Sequence, residues 1–296
     1  MKELKSRQKP IALALGYFDC IHFAHRKIIQ SVCEFAEKNR LNSAVATFSN
    51  DTLPNKSLPI YSYADRKKLL AQIEVDFVIP LEFNEDLKNM SPEDFLLLLH
   101  SRFNIKHIAC GFDYRFGKDG SGDVELLKSF AKTHDISLKV FCPIKIKNET
   151  VSTSLIKDAL SEGDIARANA FLSSPYFIEG RVTRGRGRGL ALGFPTANIK
   201  PIGKIIPKFG VYKSRTTIDG KVFYSITNIG NRPTFNDDAV VVETFVNGSV
   251  FDLYSKNICV ELLGFIRDVI RFDSAAELIL QIKKDVKHIK KETTKH

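Results

Sequence analysis

Two histidines three residues apart, His22 and His25, stand in the run Gly16-Tyr-Phe-Asp-Cys-Ile-His-Phe-Ala-His25, between an apolar stretch and an amphipathic one. A helix beginning there offers free backbone N–H groups and the positive end of its dipole, which together bind phosphate. Imidazoles at such a point can donate hydrogen bonds to a phosphoryl oxygen as charge develops in a transition state. Two unrelated loop histidines, or part of a metal site, are the alternatives. No neighbouring cysteine pattern and no H-E-x-x-H run supports a metal, so phosphate is the better ligand. A second candidate is Gly180-Arg-Val-Thr-Arg-Gly-Arg-Gly-Arg-Gly189, ahead of Leu192-Gly-Phe-Pro-Thr-Ala-Asn198. Closely spaced glycines let backbone approach a ligand, and the arginines supply counter-charge. Arg–Gly alternation also suits RNA-binding tails. Those tails are disordered, however, and this stretch sits in a β-rich region and runs into a turn of ordered character.

The elements that must hold these residues follow from hydrophobic periodicity. Ile11–Tyr17 reads as a buried strand, and His25–Asn39 as a helix with Ile28, Ile29, Val32, Cys33 and Ala36 on one face. Strands over Ser43–Phe48, Val75–Ile79, Ile105–Cys110 and Ser137–Phe141 alternate with helices over Ala64–Ile73, from Ser91-Pro-Glu-Asp94, and over Val124–Thr133. Such alternation predicts a parallel sheet covered by helices, with ligands at the carboxyl ends of its strands. Beyond Ser173 the rhythm becomes short strands between Gly, Pro and Asn turns: Tyr176–Thr183, Val211–Ile218, Val222–Asn228, Val240–Val246 and Ile258–Phe265. That spacing suggests a small antiparallel sandwich or barrel, closed by a helix over Ser274–Val286. The expected division is therefore an α/β unit over residues 1–173 and a β unit over 174–296.

The 296 residues agree with two domains, at roughly 150 each. Apolar and charged shares of 44% and 26% are those of a globular protein and exclude disorder and fibrous repeats. The longest strongly apolar run, Phe95–Leu99, is far short of the ~20 residues of a membrane span. Arg7-Gln8-Lys9-Pro10 stands where a signal peptide would need its apolar stretch, so a cytoplasmic protein without a membrane partner is expected. Five scattered cysteines, without a C-x-x-C pair, form neither a disulfide framework nor a zinc motif. The net charge of +10 suggests an anionic partner, whether nucleic acid, phosphate-bearing small molecules or an acidic surface, unless it is simply a solvated basic surface.

The pattern G-x-F-D-x-x-H-x-x-H resembles the nucleotidyltransferase superfamily, and in particular the FMN adenylyltransferase half of bacterial bifunctional riboflavin kinase/FAD synthetases. Gly111-Phe-Asp-Tyr-Arg-Phe-Gly117 and Val151-Ser-Thr-Ser154 resemble two further motifs of that half. Cys20 and Ala24 stand where the family has glycine, and Leu155 and Lys157 where it has arginine. Lysine is a point charge, whereas arginine chelates phosphate bidentately. The later glycines and Leu192–Asn198, with Gly210-Val-Tyr212, Asn228-Ile-Gly-Asn-Arg-Pro-Thr-Phe235, Val242-Glu243, Asp252-Leu-Tyr254 and Ile266-Arg267, resemble the riboflavin kinase module.

The resemblance implies a Rossmann-like nucleotidyltransferase domain with a parallel sheet, then a small antiparallel β-barrel riboflavin kinase domain with a C-terminal helix. It implies ATP, riboflavin and FMN as substrates, Mg²⁺ as cofactor, and no specific nucleic acid. His22, His25 and Glu243 would be catalytic, Glu243 as the base for the ribityl hydroxyl. Gly16, Phe18, Asp19, Ser152, Thr153, Lys157, Gly185, Gly187, Arg188, Gly189, Pro195 and Thr196 would bind nucleotide or phosphate. Asp113, Arg115, Asn228, Arg232 and Arg267 would bind flavin, although for Arg267 a strand-end salt bridge is an equal alternative. Thr196 and Asn198 would hold the metal. Leu155 motivates a rival, a monofunctional riboflavin kinase with a degenerate nucleotide-binding first domain. A basic RNA-binding or regulatory protein is the non-enzymatic alternative.

Overall fold

The computed structural model describes residues 1–4, 9–49, 58–184, 193–231, 240–247 and 253–290. It forms two compact units, Met1–Thr153 with Gly203–Ile205, and Ser154–Ile202 with Ile206–His296.

In the first unit β1 (Lys2–Glu3), β2 (Ile11–Leu15), β3 (Asn42–Phe48), β4 (Phe77–Leu81), β5 (Ile105–Gly111) and β6 (Ser137–Phe141) build one sheet in the order β1-β4-β3-β2-β5-β6. All its pairings are parallel. β2 is buried along its whole length, as a central strand covered on both faces must be. The helices of this unit are α1 (Phe23–Asn39), α2 (Tyr63–Ala71), α3 (Glu85–Asn89), α4 (Pro92–Arg102) and α5 (Val124–Thr133). The strand order runs outward from β2 to β3 and then jumps to β5 on the other side. That reversal opens a crevice beyond the carboxyl ends of β2 and β5, where open α/β sheets take ligands. A short hairpin of β7 (Lys145–Ile146) and β8 (Glu149–Thr150) precedes α6 (Thr153–Glu162).

The second unit holds the rest of α6, α7 (Ile165–Phe171), β9 (Phe177–Arg181), β10 (Thr196–Ile199), β11 (Gly210–Ile218), β12 (Lys221–Asn231), β13 (Val240–Val246), β14 (Asn257–Arg267) and α8 (Ala275–Lys290). Its six strands pair antiparallel in the order β10-β13-β12-β11-β14-β9. Beyond β9, Thr183 bridges to Asn198 on β10, so the two outer strands meet and the sheet closes. One face of β11–β13 carries a fully buried ladder of hydroxyls. Ser214 bonds Ser225 and Thr227 at 2.8 and 2.7 Å, Thr216 bonds Ser225 at 2.8 Å, and Thr227 bonds Thr244 at 3.0 Å. Each hydroxyl has a partner, which is what makes their burial tolerable.

The structure differs from the sequence expectation in three ways. Helix α1 starts at Phe23 rather than His25, because His22 acts as its N-cap. Helices α3, α6 and α7 and strands β1, β7, β8 and β10 are additional to the expected set. Three residues from the second half of the sequence, Gly203–Ile205, are built into the first unit. There the Lys204 ammonium meets the Asp65 carboxylate at 2.6 Å, both buried, and lies over the Tyr61 ring. Ile205 N–H donates to the Pro59 carbonyl.

Candidate active sites

The first site grows from the turn that joins β2 to α1. Phe18 and Ile21 both adopt positive φ, +47° each, and both are buried. Non-glycine residues in that region are strained, and such strain clusters where a loop must aim side chains. Here it folds the Phe18 ring back beneath Gly16, where a Cβ would come within 2.7 Å of it. The same ring meets His25 edge-on at 5.0 Å between centroids. His22 caps α1, its Nδ1 accepting from the His25 backbone N–H at 3.1 Å, and the two imidazoles stack at 3.5 Å.

That cap decides the proton positions. A neutral His22 whose Nδ1 accepts must carry its hydrogen on Nε2. Burial lowers His22 to about 4, and it lowers His25 well below the ordinary value, with His22 as second cause. At neutral pH both rings are therefore uncharged, and His22 offers Nε2–H as a donor. Asp19 is buried, and one of its oxygens accepts from the Thr153 hydroxyl at 2.8 Å. The Ser152–Thr153 pair is thereby brought to the Gly16–His25 turn from 134 residues away. Lys157 follows on α6, half-buried.

Asp113 and Arg115 lie on the loop leaving the carboxyl end of β5, the strand beside β2. Both are exposed, and Arg115 faces Asp123 at 3.7 Å. The loop is closed by Gly117 at φ +72°, where a Cβ would strike Pro92 at 2.7 Å, and by the Phe116–Gly122 bridge. Only glycine suits Gly117 on both grounds.

Arg66 was not anticipated from sequence. It is fully buried on α2 and donates to Thr47 Oγ1 at 2.8 Å, the Phe48 carbonyl at 2.9 Å and the Tyr17 carbonyl at 3.4 Å. It so fixes the carboxyl ends of β2 and β3 from which the site extends. Its signal was present: Arg66, Leu69, Leu70 and Ile73 share one helical stripe, and a cation on an apolar stripe is a placed cation.

The second site is a cross-strand row. Asn198 of β10 pairs with Glu243 of β13, which pairs on its other side with Asn228 of β12. Directly opposed residues share a face of the sheet, so these three stand side by side, on the face opposite Thr227 and Thr244. Thr196 lies two residues before Asn198 and therefore on the same face. Phe194 packs edge-on against Phe245, opposite Thr196, at 5.4 Å, and Pro195 is exposed in the turn between them. A hydroxyl, an amide oxygen and a carboxylate on one face are hard oxygen donors, which fit Mg²⁺.

Arg267 is engaged elsewhere. Its guanidinium grips Asp285 of α8 through Nε and a 2.7 Å bond from a terminal nitrogen, and Gln281 donates to the same carboxylate at 2.8 Å. The strand-end salt bridge is the geometry it adopts. Gly185, Gly187, Arg188, Gly189 and Arg232 lie outside the described residues.

Comparison with known proteins then bears on both sites. Residues 4–155 match the FAD synthetase family model, and residues 172–293 match the riboflavin kinase family model. The bifunctional riboflavin kinase/FMN adenylyltransferase of Bacillus subtilis is 32% identical over 95% of this chain and 92% of its own length. The chain belongs to the bifunctional riboflavin kinase/FMN adenylyltransferase family. The Escherichia coli K12 member is also 32% identical, over 94% of this chain and 91% of the relative. A solved structure described as a macrolide-efflux protein from Streptococcus pneumoniae has the same fold, with a TM-score of 0.86, 26% identity and coverage of 96% and 95% of the two chains. Among the described residues no helix is long and apolar enough to cross a membrane.

Proposed function

We propose that the chain carries out two consecutive transfers, both from ATP. The second unit moves the γ-phosphoryl group onto the 5′-hydroxyl of riboflavin, giving FMN and ADP. The first unit moves the adenylyl group onto the FMN phosphate, giving FAD and pyrophosphate. Both units match their own family, FAD synthetase over residues 4–155 and riboflavin kinase over 172–293, and that observation carries the two-activity assignment over the monofunctional one. The kinase is assigned to residues 174–296 and the adenylyltransferase to 1–173, in the cytoplasm.

In the kinase site Glu243 accepts the proton of the attacking hydroxyl, which must be within hydrogen-bond reach of a positioned base. Asn198 and Thr196 would hold Mg²⁺, which when bound neutralises charge on the transferring phosphates. Asn228, on the other flank of Glu243, orients the flavin together with Arg232, and Arg267 anchors α8 rather than the substrate. Gly185, Gly187, Arg188, Gly189 and Pro195 bind the nucleotide or its phosphates.

In the adenylyltransferase site His22 and His25 stabilise the α-phosphate as neutral hydrogen-bond donors, which suits an anionic transition state without a proton changing hands. Gly16, Phe18 and Asp19 shape the turn. Ser152 and Thr153 hold phosphate oxygens, Lys157 supplies counter-charge, and Asp113 and Arg115 meet the flavin.

Incubation of the purified chain with riboflavin and MgATP, followed by chromatographic separation of flavins, tests this directly. FMN and then FAD should accumulate. FMN without FAD, even when FMN is supplied, would sink the adenylyltransferase assignment.

A further inference from the structure

One ligand atom each from Cys20, His22 and His25 lies within 4.8 Å of the other two. One thiol and two imidazoles match the ligand types and number that zinc-class cations take at sites with an open fourth position. Two independent features point to a cation there. Nδ1 of His25 is buried with no hydrogen-bond partner. Asp19, 1% exposed, leaves Oδ2 equally unpartnered while its other oxygen is held by Thr153. Thr153 Oγ1 also touches Cys20 Sγ, at 3.9 Å, so the unsatisfied carboxylate and the thiol are joined through one hydroxyl. Buried acceptors left without donors mark places where a missing ion would be stabilised.

We propose that Cys20, His22 and His25 bind a thiophilic divalent cation of the zinc class, leaving a fourth position open to water or a phosphate oxygen. Cys20 gives its thiol proton to solvent as the sulfur–metal bond forms, one proton per cation. The cation must overcome the burial and the Asp19 charge that hold the thiol protonated in its absence. His22 sets the further cost. Its Nδ1 now accepts the His25 N–H, so ligation through either ring nitrogen gives up the helix cap. Nδ1 cannot serve two partners, and Nε2 can ligate only after its hydrogen has moved to Nδ1. One imidazole is thus either a donor to phosphate or a ligand to a cation. Occupancy by the cation switches off adenylyl transfer; this clause rests on the function proposed for the same turn, whereas the binding does not.

The full-length protein, reduced and chelator-treated, is titrated with Co²⁺. One equivalent should produce tetrahedral d–d bands and a near-ultraviolet thiolate-to-cobalt charge-transfer band. The band should vanish in Cys20→Ala and in the nearly isosteric Cys20→Ser, and persist in Cys142→Ala, which removes an exposed thiol. Absence of the band in the native chain, or its survival in both Cys20 variants, would overturn the site. Stoichiometric Zn²⁺ should slow FAD formation from FMN and excess MgATP in the native chain, with the ratio of rates with and without Zn²⁺ near one in Cys20→Ser. Equal slowing in both would overturn the inhibitory role. FAD formation by the chelator-treated native chain without Zn²⁺ reads the proposed function alone, and its failure would leave the cobalt spectrum to decide the metal site.

Discussion

Glu243 has an amide neighbour on each side, Asn198 and Asn228, and no other described carboxylate pairs into that row. Glu243→Gln keeps the shape and removes the base. FMN formation should fall by about 10²–10⁴-fold, while FAD formation from supplied FMN continues. Near-normal FMN formation would place the base elsewhere. His22→Ala should do the reverse, leaving FMN to accumulate. The histidines also make a pH prediction. Their folded values lie below the ordinary 6.5, so the unfolded chain takes up protons first as pH falls. The His22 contribution to stability is complete above pH 6.5 and is lost as pH falls towards about 4, and that of His25 is lost in the same direction. For His22 alone the loss at pH 5 is about 2 kcal/mol, visible as a lower Tm than at pH 7.5. Because the working form is neutral, the rate of FAD formation should show no inflection near 6.5. An inflection there would mean that the imidazolium acts instead.

At the level of elements, the buried hydroxyl ladder backs the strands that present the kinase row. Thr227→Val takes one hydroxyl from between Ser214 and Thr244, so Thr244 loses its bond to Thr227 while Ser214 keeps its bonds to Ser225. The expected cost is about 1–3 kcal/mol in a denaturant titration, with the kinase rate of the folded protein retained. A neutral substitution would show that the ladder closes without it. Elements with strong periodicity were legible in sequence: the parallel strands β2 to β6, α1, α4, α5 and the antiparallel run from β11 to β14. Their apolar residues repeat at the period of the structure they form. Strand β10 was not, because Pro195 and the small residues around it read as a turn, and its strand character comes from pairing with β13. The true start of α1 was hidden because its cap is an imidazole rather than a hydroxyl or carboxylate. The metal-ligand geometry was hidden too. Cys20, His22 and His25 match none of the zinc spacings sought in the sequence, and Phe18 and Ile21, at positive φ, lie in the same turn.

Across the whole molecule, the parallel sheet of the first unit and the antiparallel sheet of the second follow the change of rhythm in the sequence. The return of Gly203–Ile205 to the first unit does not. No local pattern marks Lys204 as a core residue, since a lysine between glycine and isoleucine in a loop is ordinarily solvated. Its ammonium is nevertheless buried against Asp65, whose carboxylate also accepts from Ser62. Lys204→Ala should therefore cost about 3–5 kcal/mol, the penalty for leaving one partner of a buried pair without the other. Calorimetry reads this as a lowered unfolding transition, and an unchanged transition would mean that solvent reaches Asp65.

That lysine also bears on how such proteins can be recombined. A chimera that joins the first half of one family member to the second half of another, with its crossover after Thr153, inherits Asp65 and Tyr61 from one parent and the residue at position 204 from the other. Compatibility of the halves is then decided by a three-residue segment remote from the junction, and a productive exchange has to transplant Gly203–Ile205 along with the half it completes.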